Sequence, residues 1–283
     1  MFEWIIGILI AVVLFFIIVI IIDGNRFVVR EYTLKTDKIN KEYTFVLLAD
    51  LHNRTYGKDN KKLVGVIDDI RPDIVLAAGD MLTAKPGKSF GVALSFMKQL
   101  ASKYPVYYGI GNHEYRMKLY RDDYGDAYER YTGALTDVGI RVLDNDSVTE
   151  GAFVVTGLSI DRKYYKRFQK SAMEKEYLSS VIGEPNPDKY HILLAHNPEY
   201  FEEYAEWGSD LVVSGHVHGG IMRLPFLGGV ISPKLILFPK YDGGLFKKND
   251  TTMILSRGLG MHTLPVRIFN PGELVVIHLL PCK

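Results

Sequence analysis

Five short segments of this chain set carboxylate, imidazole or carboxamide side chains directly after an apolar run: Asp50-Leu51-His52, Gly79-Asp80, Gly111-Asn112-His113-Glu114, His196-Asn197-Pro198 and Gly215-His216-Val217-His218-Gly219-Gly220. Five of the eight histidines fall within them. Imidazole and carboxylate together suit divalent ions such as Mn, Fe or Zn, and the single cysteine, Cys282, provides no basis for a thiolate site. Asp50 and His52 are two apart, as are His216 and His218, a spacing that turns each pair to one side of an extended backbone. Any one segment alone reads as a capped strand end. Together they read as one site.

Hydrophobic spacing predicts the elements that must carry these segments. Residues 43–49 form an apolar run of strand length that ends at Asp50, and residues 59–70 have helical spacing through Leu63, Val66, Ile67 and Ile70 before Pro72. Residues 74–78 read as a second strand, 90–101 as a helix, and 106–108 as a third strand ending at the Asn112 cluster. This βαβαβ order implies a largely parallel sheet, with ligands gathered at the carboxyl ends of its strands. Further on, residues 124–138 read as helix, 142–143 and 153–156 as strands, 162–182 as polar and partly helical, and 184–187 as a loop. Strands at 190–195 and 210–213 end in the two remaining clusters, and runs at 251–255, 266–269 and 274–279 make a strand-rich tail.

Asp-x-His, Gly-Asp, Gly-Asn-His-Glu, His-x-Pro and Gly-His-x-His, in this order over about residues 43–280, resemble the calcineurin-like metallophosphoesterase superfamily. The ending Ser214-Gly215-His216-Val217-His218-Gly219-Gly220, with the apolar N-terminus, is similar to its membrane-associated bacterial branch. The resemblance implies a four-layer αββα sandwich and two divalent metal ions. Carried over position by position, Asp50, His52 and His218 would hold one ion and Asn112, His196 and His216 the other. Asp80 would bridge the two, and His113 would assist at the leaving group. The implied activity is hydrolysis of phosphomonoesters or phosphodiesters through a metal-activated hydroxide. An alternative is a pyrophosphatase acting on a nucleotide-linked or phospholipid-type precursor. A third reading, a membrane-tethered binding or scaffold protein with a relict site, should show lost ligands, and all seven positions hold competent ones.

Elementary chemistry agrees with the implied site. Two divalent ions against two carboxylates leave a formal charge of +2, which attracts phosphate and stabilises its developing charge. Two positions depart from the family pattern: Met81-Leu82-Thr83 follows Gly79-Asp80 where an acidic residue is common, and Ile221 stands where anchored members often carry Gln. Arg54 and Arg257 are candidates for touching phosphate or for structural roles, Asn53 and Glu114 for supporting the ligands, and His262 for lining the cleft. His191 and His278 read as structural.

Residues 4–22 contain no charged or polar side chain, and a helix of that length measures about 28 Å, close to the hydrocarbon thickness of a bilayer. The expected layout is an anchor at 4–22, a juxtamembrane linker and lead-in at 23–42, and a catalytic domain at 43–283. The flanks, Glu3 on one side against Arg26, Arg30, Lys35, Lys38 and Lys41 on the other, place that domain in the cytoplasm. A net charge of +1 gives no reason to expect nucleic acid. The partners expected are a membrane and a phosphoester substrate, lipid-linked in one reading. The apolar stretch 221–233 reads either as a packed hairpin or as a rim that meets lipid.

Overall fold

Alternation along the strands decides the layers. In β2 (Tyr43–Leu48), Phe45 and Leu47 enter one buried cluster while Val46 and Leu48 enter another, because successive side chains leave a strand on opposite faces. A strand buried on both faces belongs inside a covered sheet. The computed structural model describes residues 2–166, 170–232, 236–261 and 265–282. Its first sheet contains β1 (Phe27–Thr36), β2, β3 (Ile74–Ala77), β4 (Val106–Gly109), β5 (Arg141–Leu143) and β14 (Gly272–Pro281), in the order β1-β14-β2-β3-β4-β5. The second contains β6 (Asp146–Glu150), β7 (Phe153–Leu158), β8 (Tyr190–Ala195), β9 (Leu211–Ser214), β12 (Gly244–Lys248) and β13 (Thr251–Leu255), in the order β12-β13-β9-β8-β7-β6. A hairpin of β10 (Met222–Leu224) and β11 (Gly228–Ile231) stands apart from both.

The two sheets pack face to face through Phe45, Leu47, Leu76, Val155, Ile192, Leu194 and Ile277. Outside the first sheet lie α2 (Lys61–Ile70), α3 (Gly91–Ala101), α4 (Asn112–Leu119), α5 (Arg121–Tyr124) and α6 (Ala127–Thr136), contributing Leu63, Ile67, Phe96, Leu100, Met117, Tyr131 and Leu135. Outside the second lie α7 (Tyr177–Ile182) and α8 (Phe201–Trp207), with Leu178, Phe201 and Tyr204 buried beneath them. The architecture is the expected four-layer αββα sandwich. Strands β2 to β5 run parallel, as do β7, β8, β9 and β13, so both sheets bring several carboxyl ends to one edge.

The chain opens with α1 (Phe2–Asn25), a helix long and apolar enough to cross a membrane. Phe16, Val19 and Ile20 are half-buried and Asp23 is buried, a stripe at helical spacing that leans on the sandwich. Three features differ from the sequence expectation. Residues 23–42 hold the ten-residue strand β1, paired along its whole length with β14, so half of the expected lead-in is part of the first sheet. The Asn112 cluster, read as the end of a strand, opens helix α4. Residues 266–269 form no strand, only a bridge from Ile268 to Met222.

Candidate metal centre

The five chemistry-bearing segments lie where the carboxyl ends of β2, β3, β4, β8 and β9 converge. Their backbone is not extended. Asp50, His52, Asn53, Asp80, His216 and His218 all have left-handed φ, between 50° and 75°. Such conformations cost about 1–3 kcal/mol each and persist only where surrounding contacts impose them. Here backbone hydrogen bonds zip the loops together: Asp50 to Gly79, His52 to Asp80 and Asn53 to Met81, with N···O distances of 3.0, 3.1 and 3.0 Å. Gly79 and Gly111 pack back to back, and a Cβ on Gly111 would stand 2.3 Å from Asp80 Oδ1. The close approach requires glycine.

Side chains from separate loops then meet. His218 Nε2 lies 3.4 Å from Asp50 Oδ1 and 3.2 Å from His52 Nε2. His196 Nε2 lies 3.2 Å from Asp80 Oδ2 and 3.8 Å from Asp50 Oδ1, and His52 Nε2 lies 3.8 Å from Asp80 Oδ2. Potential ligand atoms group as Asp50, His52 and His218; as Asp80, His196 and His216; and as His52, Asp80 and His113. Asn112 shares a cavity wall with His216.

The donor set fits cations. Asp50 Oδ1, Asn112 Oδ1 and His196 Nε2 are buried without a hydrogen-bond partner, a costly state for polar atoms unless something electropositive meets them. Their neighbouring atoms are already engaged: Asp50 Oδ2 accepts from the His216 N–H at 2.9 Å, and Asp80 Oδ1 from the His113 N–H at 2.7 Å. His196 Nδ1 donates to the Ala78 carbonyl at 2.6 Å, which places the Nε2 lone pair toward Asp80. Burial disfavours the charged form of His196, yet Asp80, Asp50 and that carbonyl push its pKa up to about 10.

His113 has the opposite tautomer. The Ala84 N–H donates to its Nδ1 at 2.9 Å, so neutral His113 carries its proton on Nε2. Burial lowers its pKa to about 4 despite the pull of Asp80, so the ring is neutral at physiological pH.

The supporting residues are mostly buried. Glu114, at the third position of α4, accepts hydrogen bonds from the N–H groups of Asp80, Met81 and Gly111 and from Tyr108 Oη, tying the loop after β3 to the loop after β4. Burial, then the charge of Asp80, push its carboxyl up to about 7 while those donors pull it down. Thr83 donates to the His52 carbonyl. Two important residues were not singled out by the sequence reading. Asn270 Nδ2 donates to the carbonyls of His218 and Gly220 at 2.7 and 2.8 Å, and its N–H donates to Asp23 Oδ2 at 3.0 Å. Arg267, buried, donates to the carbonyls of Arg257, Gly258, Gly260 and Asn270, and the Gly260 N–H in turn donates to the Asp50 carbonyl. The only sequence hint was the Asn270-Pro271-Gly272 turn signature.

Arg54 points away from the ligands and donates to the Gly24 carbonyl and to Asn25 Oδ1, clasping the end of α1. Arg257 pairs with the buried Glu273 at 3.2 Å. His191 and His278 lie away from the cluster, on Asn186 and on Thr44 and Glu31. His262 lies outside the described residues. A cavity of about 330 Å³ opens from Asn112 and His216 and is lined by Tyr115, Arg116, Leu119, Tyr120, Arg162, Tyr165 and Lys166. Arg162 stacks 4.7 Å over Tyr120, and among the described residues no carboxylate pairs with Arg116, Arg162 or Lys166.

Comparison with known proteins agrees with this geometry. The family described as calcineurin-like phosphoesterase matches residues 43–220. An uncharacterized metallophosphoesterase of Helicobacter pylori is 30% identical over 259 residues, covering 89% of this chain and 64% of the relative. One from Aquifex aeolicus is 29% identical over 254 residues, covering 88% of this chain and 90% of that one. A Bos taurus relative named as a transmembrane protein with a metallophosphoesterase domain is 24% identical over 245 residues, covering 81% of this chain and 51% of its own length. The chain thus spans less than two thirds of some of these relatives.

Proposed function

The chain belongs to the calcineurin-like phosphoesterase family, and on that premise we propose that it is a membrane-tethered phosphohydrolase working with two divalent ions. The observation that carries this reading is the grouping of Asp50, His52 and His218, and of Asp80, His196 and His216, with their ligand atoms within 4.8 Å of one another, beside Asp50 Oδ1, Asn112 Oδ1 and His196 Nε2 buried without a hydrogen-bond partner. In this reading Asp50, His52 and His218 hold one ion, Asn112, His196 and His216 the other, and Asp80 faces both. Bound there, the ions would supply Lewis-acid polarisation of the phosphoryl group and lower the pKa of a water between them.

The chain's own residues orient the ligands and present a hydrogen-bond donor to the leaving group. The Ala84 N–H on Nδ1 leaves the neutral His113 ring with its proton on Nε2, from where it can donate a hydrogen bond to the charge that develops on the departing alkoxide oxygen. Ala78 keeps the His196 lone pair directed inward. Glu114 sets the Asp80 loop through its backbone N–H groups. The cations Arg116, Arg162 and Lys166 around the adjoining cavity favour a substrate with an anionic group beyond the scissile phosphate, which keeps the diphosphate-cleaving alternative open.

Helix α1 supports the tether, as does the membrane-protein name of the Bos taurus relative. A cytoplasmic catalytic domain is favoured by the cations after α1, of which Arg26, Arg30 and Lys38 also pair with Asp23, Glu273 and Asp210. The test is to strip metal from the purified protein, restore Mn, and assay phosphomonoester, phosphodiester and diphosphate hydrolysis in wild type and Asp80→Ala. Metal-dependent turnover lost in Asp80→Ala is expected. Turnover that ignores metal, or full activity of the variant, refutes the reading.

A further inference from the structure

The hairpin after the histidine pair is tied at its base by the buried Arg223, which bonds the carbonyls of Gly219 and Asp242, and it turns apolar side chains outward at its tip. Phe226, at its tip, is fully exposed with a left-handed φ of 66°, and Leu227 beside it is 61% exposed. Ile231 of β11 bridges to Leu237, and the Phe238 N–H donates to the Val230 carbonyl, which adds a short third strand with Leu237 63% and Phe238 59% exposed. On its other side β10 bridges to Ile268, through hydrogen bonds of 3.0 and 3.1 Å between Arg223, Ile221 and Ile268. A small sheet of four segments therefore runs outward from residue 268. Among the described residues of these segments, the most exposed large side chains are apolar, an arrangement that costs solubility unless something apolar covers it.

What covers it is indicated by α1. Phe269, next to Ile268, packs its ring 6.3 and 6.5 Å from those of Phe15 and Phe16. Phe16 lies nine residues before Asn25, the last residue of α1, about 14 Å down the helix axis. The domain end of α1 is fixed independently, by Asn270 on Asp23 and by Arg54 on Gly24 and Asn25. The small sheet thus begins beside the helix at a level well inside the segment long enough to span hydrocarbon. Pairing among its segments satisfies much of its backbone, which a lipid environment demands.

We propose that this ledge, carrying Phe226, Leu227, Leu237, Phe238 and Phe269, is a second membrane contact that enters the leaflet holding the C-terminal half of α1. The partner is the lipid bilayer. Because Asn270 joins Asp23 of α1 to the carbonyls of His218 and Gly220, the contact also holds the metal-binding loops against the bilayer surface instead of on a loose tether. The inference rests on the reading of α1 as a membrane anchor.

The full chain, with Cys282→Ser, is reconstituted into phosphatidylcholine/phosphatidylglycerol vesicles, and single cysteines at Phe226, Leu237, Val12 and Ser102 are labelled with an environment-sensitive nitrobenzoxadiazole dye. Phe226 and Leu237 are solvent-facing, so their replacement leaves the fold intact. Labels at 226 and 237 should emit to the blue of the label at 102, with at least threefold less iodide quenching and stronger quenching by doxyl-labelled lipid. If 226 and 237 behave like 102 while 12 is quenched by doxyl lipid, the anchor stands and the ledge is refuted. If 12 is itself open to iodide, the anchor fails and the ledge falls with it.

Discussion

Replacing Asn270 should uncouple the histidine loop from the domain, and the size of the effect follows from its contacts. The side chain is fully buried and donates two short hydrogen bonds, to the carbonyls of His218 and Gly220. Asn270→Ala removes both donors and leaves two buried carbonyls unmatched. At about 1–1.5 kcal/mol for each hydrogen bond, with a further desolvation penalty, the loss is about 3 kcal/mol, or roughly 150-fold in the folding equilibrium. The Asn270 N–H bond to Asp23 is backbone and survives. Asn270→Asp preserves the volume but sets an acceptor against two acceptors, so it should cost at least as much as Ala although it opens no cavity. Because His218 is a proposed ligand, affinity for Mn should fall about 10- to 100-fold, the usual effect of losing a residue that orients a ligand. Urea unfolding of the detergent-solubilised protein, followed through the buried Trp207, and calorimetric Mn titration measure the two quantities. Stability within about 0.5 kcal/mol of wild type, unchanged Mn affinity, or a harmless Asn270→Asp would refute the reasoning.

Two further outcomes follow. His113→Ala should lower kcat by about 100-fold on alkyl phosphoesters with metal content unchanged, and much less on 4-nitrophenyl esters, whose leaving group needs no proton; equal losses on both would remove His113 from the leaving-group role. Asp144, beside Lys118 and Tyr128, has its carboxyl held below the usual range by these hydrogen bonds despite burial. A lowered folded pKa gives stability that is present above the unfolded value of 3.8 and is lost as pH falls through the folded one. Asp144→Asn should accordingly flatten the acid limb of unfolding below about pH 4, and an unchanged limb would contradict that sign.

The chemistry was readable from sequence where an apolar strand stops abruptly at a polar residue, as at Asp50, Asp80, His196 and His216. The backbone that presents it was not. A two-residue spacing suggested extended pairs, whereas Asp50, His52, His216 and His218 sit in left-handed turns that only neighbouring loops can impose. Helix α4 escaped notice because Asn112–Leu119 offers a single fully buried apolar side chain, Met117, and little periodicity. Strand β1 escaped because it is a half-exposed edge whose partner, β14, lies at the other end of the chain. Asn270 and Arg267 act on backbone carbonyls, which leave no mark in composition. The apolar stretch after His218 was legible as apolar, but only the contact of Phe269 with α1 gives it a direction.

Elemental analysis of the purified full chain, loaded with Mn and freed of excess by gel filtration, tests the two-ion centre most directly. Two ions per chain are expected in wild type, at most one in His52→Ala and in His196→Ala, and fewer than one in Asp80→Ala. One ion or none in wild type, or two in Asp80→Ala, would contradict the centre built here from Asp50, His52, Asp80, Asn112, His196, His216 and His218.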